Sequence, residues 1–189
     1  MSNPVYTAQG FSSGNLPHFK PNDAPYFVTF GLYGLYDREL ALVKANKMKF
    51  ADYDKLLDFA TDGPHHLRVP SCAEIVQQKL MWLAGEVLTM HAFTIMSNHV
   101  HLLMALKPEQ DLSDLMRLVK GSTSRECNKV LGLTGSKFWQ GESYDRVLRW
   151  NEHRVTFNYI VQNAVKANIV RHWREHPFTW VNEKLHFVD

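Results

Sequence analysis

Apolar positions along the 189-residue chain follow two periods, one of strands and one of helices. Tyr26 to Tyr33, YFVTFGLY, is dense in aromatic and β-branched residues and predicts a first strand. Leu88 to Leu106, LTMHAFTIMSNHVHLLMAL, is two apolar runs split by the polar pair Ser97-Asn98, the pattern of a hairpin of buried strands. Pro70-Ser71 opens a helix to about Val87, in which Val76, Leu80, Leu83 and Val87 form a core-facing stripe. A second amphipathic helix spans Asp111 to Leu131, with Leu112, Leu115, Met116 and Val119 turned inward. Phe138 to Trp150 reads as a loop and then a strand. A third helix runs from Asn151 or Glu152 to Ala167 on the apolar face Phe157, Ile160, Val161, Ala164 and Val165, and Asn168 is suited to end it in the left-handed conformation.

Two segments are less patterned. Residues 1–24 mix Asn, Ser, Gly and Pro with isolated aromatics and predict an extended arm that packs only partially. Asp37 to Leu67 is polar and irregular, with a short helix expected at Tyr53 to Ala60 and a turn at Asp62-Gly63-Pro64. The order β, α, β-hairpin, α, β, α predicts an α+β fold of the split-βαβ, ferredoxin-like kind, an antiparallel sheet with helices packed on it. Its length and 45% hydrophobic content suit one domain, expected over residues 25–180 and followed by a short tail, 181–189.

Charge sharpens this picture modestly. The net charge is +2, yet residues 111–175 hold 11 Lys/Arg against 7 Asp/Glu, which suits a phosphate-rich partner. Cys72 and Cys127 lie in apolar helical patterns with no Cys-x-x-Cys, and are expected to be reduced core thiols. No apolar run approaches a membrane span and the N-terminus lacks the plan of a signal peptide, so a cytoplasmic, nucleoid-associated protein is expected.

The chemistry centres on His99 and His101. Residues two apart on a strand share a face, so two imidazoles stand side by side in an apolar strand, where leaving them without partners would be costly. A shared divalent metal would be a sufficient partner, as would two carbonyls. On the third helix Thr156, Tyr159, Asn163 and Lys166 make a polar stripe carrying a phenol, an amide and an ammonium. If that stripe lies over the histidine strand, metal ligands and a nucleophile converge. Tyr144 is a rival phenol, but on a strand flanked by Arg146 and Arg149 it is better suited to packing or to stacking on a base. His65 and His66 are read as exposed loop residues.

The segments MSNHVHLLM, FWQGESYDRVLR and YIVQNAVKANIV, in this order and spacing, resemble the REP-associated tyrosine transposases, the insertion-sequence-200-like, single-tyrosine branch of the HUH endonucleases. The likeness spans roughly Tyr26 to Trp180. It implies that His99 and His101 are the HUH metal pair, that Tyr159 is the nucleophile, and that Asn163 supplies a third ligand, the metal being Mg²⁺ or Mn²⁺. It further implies cleavage and rejoining of single-stranded DNA next to REP-type hairpins through a 5′-phosphotyrosine link. DNA contacts are expected from Arg117, Lys120, Trp139, Tyr144, Arg146, Arg149, Trp150 and Lys166. Competing readings are a hairpin binder that no longer cuts and a water-using metal hydrolase. The chain departs from the family at Ser97, Ala164 and Asn168, where Pro, Pro and Gly are usual; Ser97 is expected to loosen the hairpin entry.

Overall fold

In the computed structural model the described residues are 24–185. The expected N-terminal arm, apart from Ala24, and the end of the tail lie outside them. Five strands, β1 (Pro25–Gly31), β2 (Leu88–Ile95), β3 (His99–Leu106), β4 (Tyr144–Val147) and β5 (Thr179–Val181), form one antiparallel sheet in the order β4-β1-β3-β2-β5. The first four strands have the ferredoxin-like order anticipated from the sequence, and β5 is an edge strand that its short, loop-flanked segment did not announce.

The two faces of the sheet carry different helices. Alternate residues Val28 and Phe30 of β1 and Val100, Leu102 and Met104 of β3 face α3 (Pro70–Glu86) and α4 (Leu112–Leu131), closing the larger core around Val76, Leu80, Leu83, Leu115 and Val119. Both predicted helices stand nearly as read. Asp111 caps α4 by accepting from the N–H groups of Ser113 and Asp114, and Gly132 ends it at φ 69°. Cys72 and Cys127 are free thiols buried in this core.

The opposite face carries α5 (His153–Val161) and α6 (Asn163–Lys166), whose Phe157, Ile160 and Val161 pack on Phe27, Ala92 and Leu103. The single expected helix is thus divided at Gln162, and Asn168 follows it at φ 57° as anticipated. The structure corrects the reading of residues 37–67. They form two helices, α1 (Asp37–Lys44) and α2 (Phe50–Asp58), that bury Leu40, Val43, Tyr53 and Leu57 in the main core. His65 and His66 are also not exposed: both are half-buried, His65 Nδ1 lying 2.9 Å from Ser97 Oγ and the His66 ring stacking on Phe138. The entry to β3 is accordingly fastened rather than loosened at Ser97, whose carbonyl also accepts from the Leu67 N–H.

Candidate metal centre and nucleophile

Strand alternation puts His99 and His101 on the α5 side of β3, and both are fully buried. Each ring is anchored through Nδ1. His99 Nδ1 lies 2.7 Å from Asn98 Oδ1, an oxygen held in place because Asn98 Nδ2 donates to the Leu57 carbonyl. His99 therefore carries its proton on Nδ1, and its Nε2 presents a bare lone pair. His101 Nδ1 lies 2.7 Å from Oγ1 of Thr29, its register partner on β1. The two Nε2 atoms face each other at 3.0 Å. Burial holds both rings neutral, pushing His99 down to about 3 and His101 well below the usual imidazole range, the latter with help from His99.

Facing the imidazoles are two carboxylates absent from the sequence-derived site. Asp54 Oδ1 lies 3.3 Å from His101 Nε2, and Asp58 Oδ1 lies 3.6 Å from His99 Nε2. They project from consecutive turns of α2, so their i, i+4 spacing, each directly after a buried residue (Tyr53 and Leu57), was the available signal. Burial raises Asp54 to about 8, with the Asp58 charge adding and Lys166 opposing. Burial likewise raises Asp58 to about 6, against the lowering effects of the Asn163 amide and Lys166.

Asn163 opens α6 beneath this group, fully buried. Its Oδ1 and Nδ2, like Asp54 Oδ1 and Asp58 Oδ1, are buried without a hydrogen-bond partner. Four orphaned polar atoms at one point would be costly unless something charged sits among them. Donor atoms of Asp54, His99 and His101 all lie within 4.8 Å of one another, and the group could hold a divalent ion. The residues present fit such an ion: neutral imidazoles whose Nε2 atoms turn inward, carboxylate oxygens and a buried amide.

Tyr159 lies one helical turn before Asn163, its ring centroid 5.8 Å from that of His101 and edge-on to Phe27. Lys166 Nζ sits 4.6 Å from the Tyr159 ring centroid. The stripe Tyr159, Asn163 and Lys166 thus gathers at the histidine strand. Tyr144 on β4 joins the same side, stacked at 4.2 Å on Phe50, and these two rings with Lys47 and Lys49 line a surface cavity of about 530 Å³. Arg146 and Arg149 are exposed nearby, Arg146 paired with Glu152 at 2.6 Å.

Other expected DNA contacts are placed differently. Trp139 is a core residue: its indole packs on Phe30 and its N–H donates to Thr123 Oγ1, leaving no face for a base. Lys120 spends its ammonium on the carbonyls of Gln140, Gly141 and Glu142, and burial lowers it to about 8. Arg117 is exposed on α4, across the sheet from the histidines, and pairs with Asp114. The Trp150 side chain lies outside the described residues.

Among solved structures, one of a REP-associated tyrosine transposase bound to a REP hairpin matches at TM-score 0.56 and 16% identity, over 88% of this chain and 81% of that one. A protein of Deinococcus radiodurans R1 provisionally called a transposase matches at TM-score 0.39 and 16% identity, over 84% and 97% of the two chains. A bacterial tRNA(His) guanylyltransferase-like protein in complex with GTP matches at TM-score 0.42 and 12% identity, over 82% and 70%. The first establishes a shared α+β fold. Comparison with curated protein sequences returns no match. The profile described as "Transposase IS200 like" matches residues 70–169, more than half of the chain, from the start of α3 through β3 and the end of α6. The chain belongs to the IS200-like transposase family.

Proposed function

We propose that this transposase-family protein is a metal-dependent endonuclease and strand transferase acting on single-stranded DNA beside REP-type hairpins, with Tyr159 as nucleophile. The observation that carries this reading is the convergence of one phenol, one ammonium and several orphaned buried donors on a pair of neutral imidazoles. A divalent ion held by His99, His101 and Asn163 together with α2 carboxylate would neutralise and polarise the scissile phosphate.

The chain's own groups do the rest. Tyr159 Oη attacks phosphorus, the bond from phosphorus to the 3′ oxygen breaks, and the phenol proton passes to solvent while the leaving oxygen is protonated to a free 3′-OH. The product is a 5′-phosphotyrosine, and attack by a second 3′-OH reverses the step without an external energy source. Lys166 beside the ring favours the phenolate that develops and can bind the adjoining phosphate. Phe50 and Tyr144 offer a stacking surface, and Lys47 and Lys49 offer charge, for an unpaired nucleotide next to the break. Arg146 and Arg149 would contact the backbone, and Arg117 would meet only a hairpin that wraps round the β4 edge of the sheet.

The test is incubation of the protein with hairpin oligonucleotides carrying single-stranded flanks, with and without Mn²⁺. A covalent protein–DNA adduct that needs the metal and is lost in His99→Ala and His101→Ala is expected. Cleavage without an adduct would favour a water-using hydrolase, and tight binding without cleavage would favour a DNA-gripping relative.

A further inference from the structure

We infer that α2 supplies two carboxylate ligands, Asp54 and Asp58, so that the metal is held by five donors from three elements and fastens residues 37–67 over the sheet. The inference rests on the reading that His99 and His101 bind a divalent ion. It extends that reading to a segment the matched family profile does not cover, since the match begins at residue 70 and α2 ends at Asp58.

Three observations carry it. The first is spacing. Neighbouring donors on an octahedral ion with bonds of about 2.1 Å lie about 3.0 Å apart. The histidine nitrogens are 3.0 Å apart and Asp54 Oδ1 stands 3.3 Å from the His101 nitrogen, so these three surround one small volume, while Asp58 Oδ1 approaches it from the His99 side at 3.6 Å. The second is that the oxygens facing the imidazoles accept no hydrogen bond from the described residues. Asp54 is 2% exposed, the Asp58 side chain 9%, and the Oδ1 atom of each is unpaired. His99, its proton committed to Asn98, cannot donate from Nε2 toward Asp58. Lone pair and carboxylate therefore face each other, an arrangement that a cation between them turns from repulsive to attractive. The third is Asn163, fully buried at the start of α6, whose amide reaches toward Asp58 and lowers it without a hydrogen bond of ordinary geometry.

The chemistry of the set follows. Two carboxylate oxygens and an amide oxygen beside two imidazoles are hard and of mixed type, which suits Mn²⁺ first and Mg²⁺ second. Two carboxylates also balance the ion's charge inside the fold, so the bound ion is a crosslink between β3, α2 and α6. Asn98 serves the same end, joining the His99 ring to the α2 backbone at Leu57.

The experiment is titration of the metal-free protein with Mn²⁺, reading free ion by electron paramagnetic resonance, on wild type, Asp54→Asn, Asp58→Asn and His101→Ala. Each carboxylate variant is expected to bind Mn²⁺ at least tenfold more weakly, while its metal-free melting temperature equals or exceeds that of wild type, because the cost of burying an ionisable carboxyl has been removed. Hydrogen exchange gives a second readout: Mn²⁺ should slow exchange of the α2 amides in wild type and leave them unchanged in a variant that combines Asp54→Asn with Asp58→Asn. If His101→Ala binds Mn²⁺ as wild type does, the underlying metal site fails. If His101→Ala loses binding but either carboxylate variant stays within threefold of wild type, the α2 ligand assignment alone is overturned.

Discussion

Replacing Asp54 by Asn should change the pH dependence of stability in the metal-free protein, by an amount the structure sets. Asp54 is 2% exposed, faces Asp58 and the neutral His101, and is raised from 3.8 to about 8, with desolvation the largest cause and Asp58 the next. A carboxyl raised in the folded state keeps a proton that the unfolded chain has released. Its penalty therefore begins as pH rises past the unfolded value near 4 and grows until about 8, where the folded group also ionises. At roughly 1.4 kcal/mol per pH unit, tapering near 8, the loss between pH 6.5 and 8 is about 1.6 kcal/mol. The amide does not titrate, so the stability advantage of Asp54→Asn over wild type should widen by about that amount, roughly 3–6 °C in melting temperature for a chain of this size. Taking the difference cancels the opposing contribution of the histidines. Their depressed folded values cost stability below pH 6.5, to the same degree in both proteins. Thermal unfolding with a chelator present, at half-unit steps of pH, measures it. A difference that stays flat across the window would refute the buried, unpaired environment assigned to Asp54.

Other expectations are more local. Asn98→Ala removes the acceptor that fixes the His99 tautomer and should lower Mn²⁺ affinity about 10–100-fold by titration; unchanged affinity would mean the ring needs no anchor. Lys166→Ala should lower the slope of log affinity for hairpin DNA against log salt by about 1, and an unchanged slope would remove Lys166 from the DNA contacts. Trp139→Phe should cost about 1 kcal/mol of stability by denaturant unfolding, through the lost bond to Thr123, with DNA affinity unaltered; a fall in affinity at normal stability would return Trp139 to the DNA surface.

What the sequence disclosed follows from which signals are periodic. The stripes of α3 and α4, the aromatic first strand and the alternation that places His99 beside His101 all come from chain geometry, and all stand in the structure. Residues 37–67 were misread because their helices are short and end in polar turns. Tyr36 precedes α1 at φ 42°, and the buried Leu40, Val43, Tyr53 and Leu57 are spread over two pieces instead of one long stripe. Asp54 and Asp58 drew no notice for the same reason, since the burial of α2 involves contacts distant in sequence, among them the Asn98 bond to Leu57. Trp139 and Lys120 show the reverse error. An aromatic and a cation in a basic stretch suggest nucleic acid, whereas here they pack and staple the segment leading to β4.

The central claim is that Tyr159 attacks DNA while ions and phosphate are held at the histidine strand. Peptide mapping of the covalent adduct formed on a hairpin oligonucleotide in Mn²⁺ tests it directly. The account predicts DNA attached to Tyr159, and no adduct in Tyr159→Phe, which keeps the ring's packing on Phe27 and His101. DNA attached to Tyr144, or an adduct that persists in Tyr159→Phe, would contradict it.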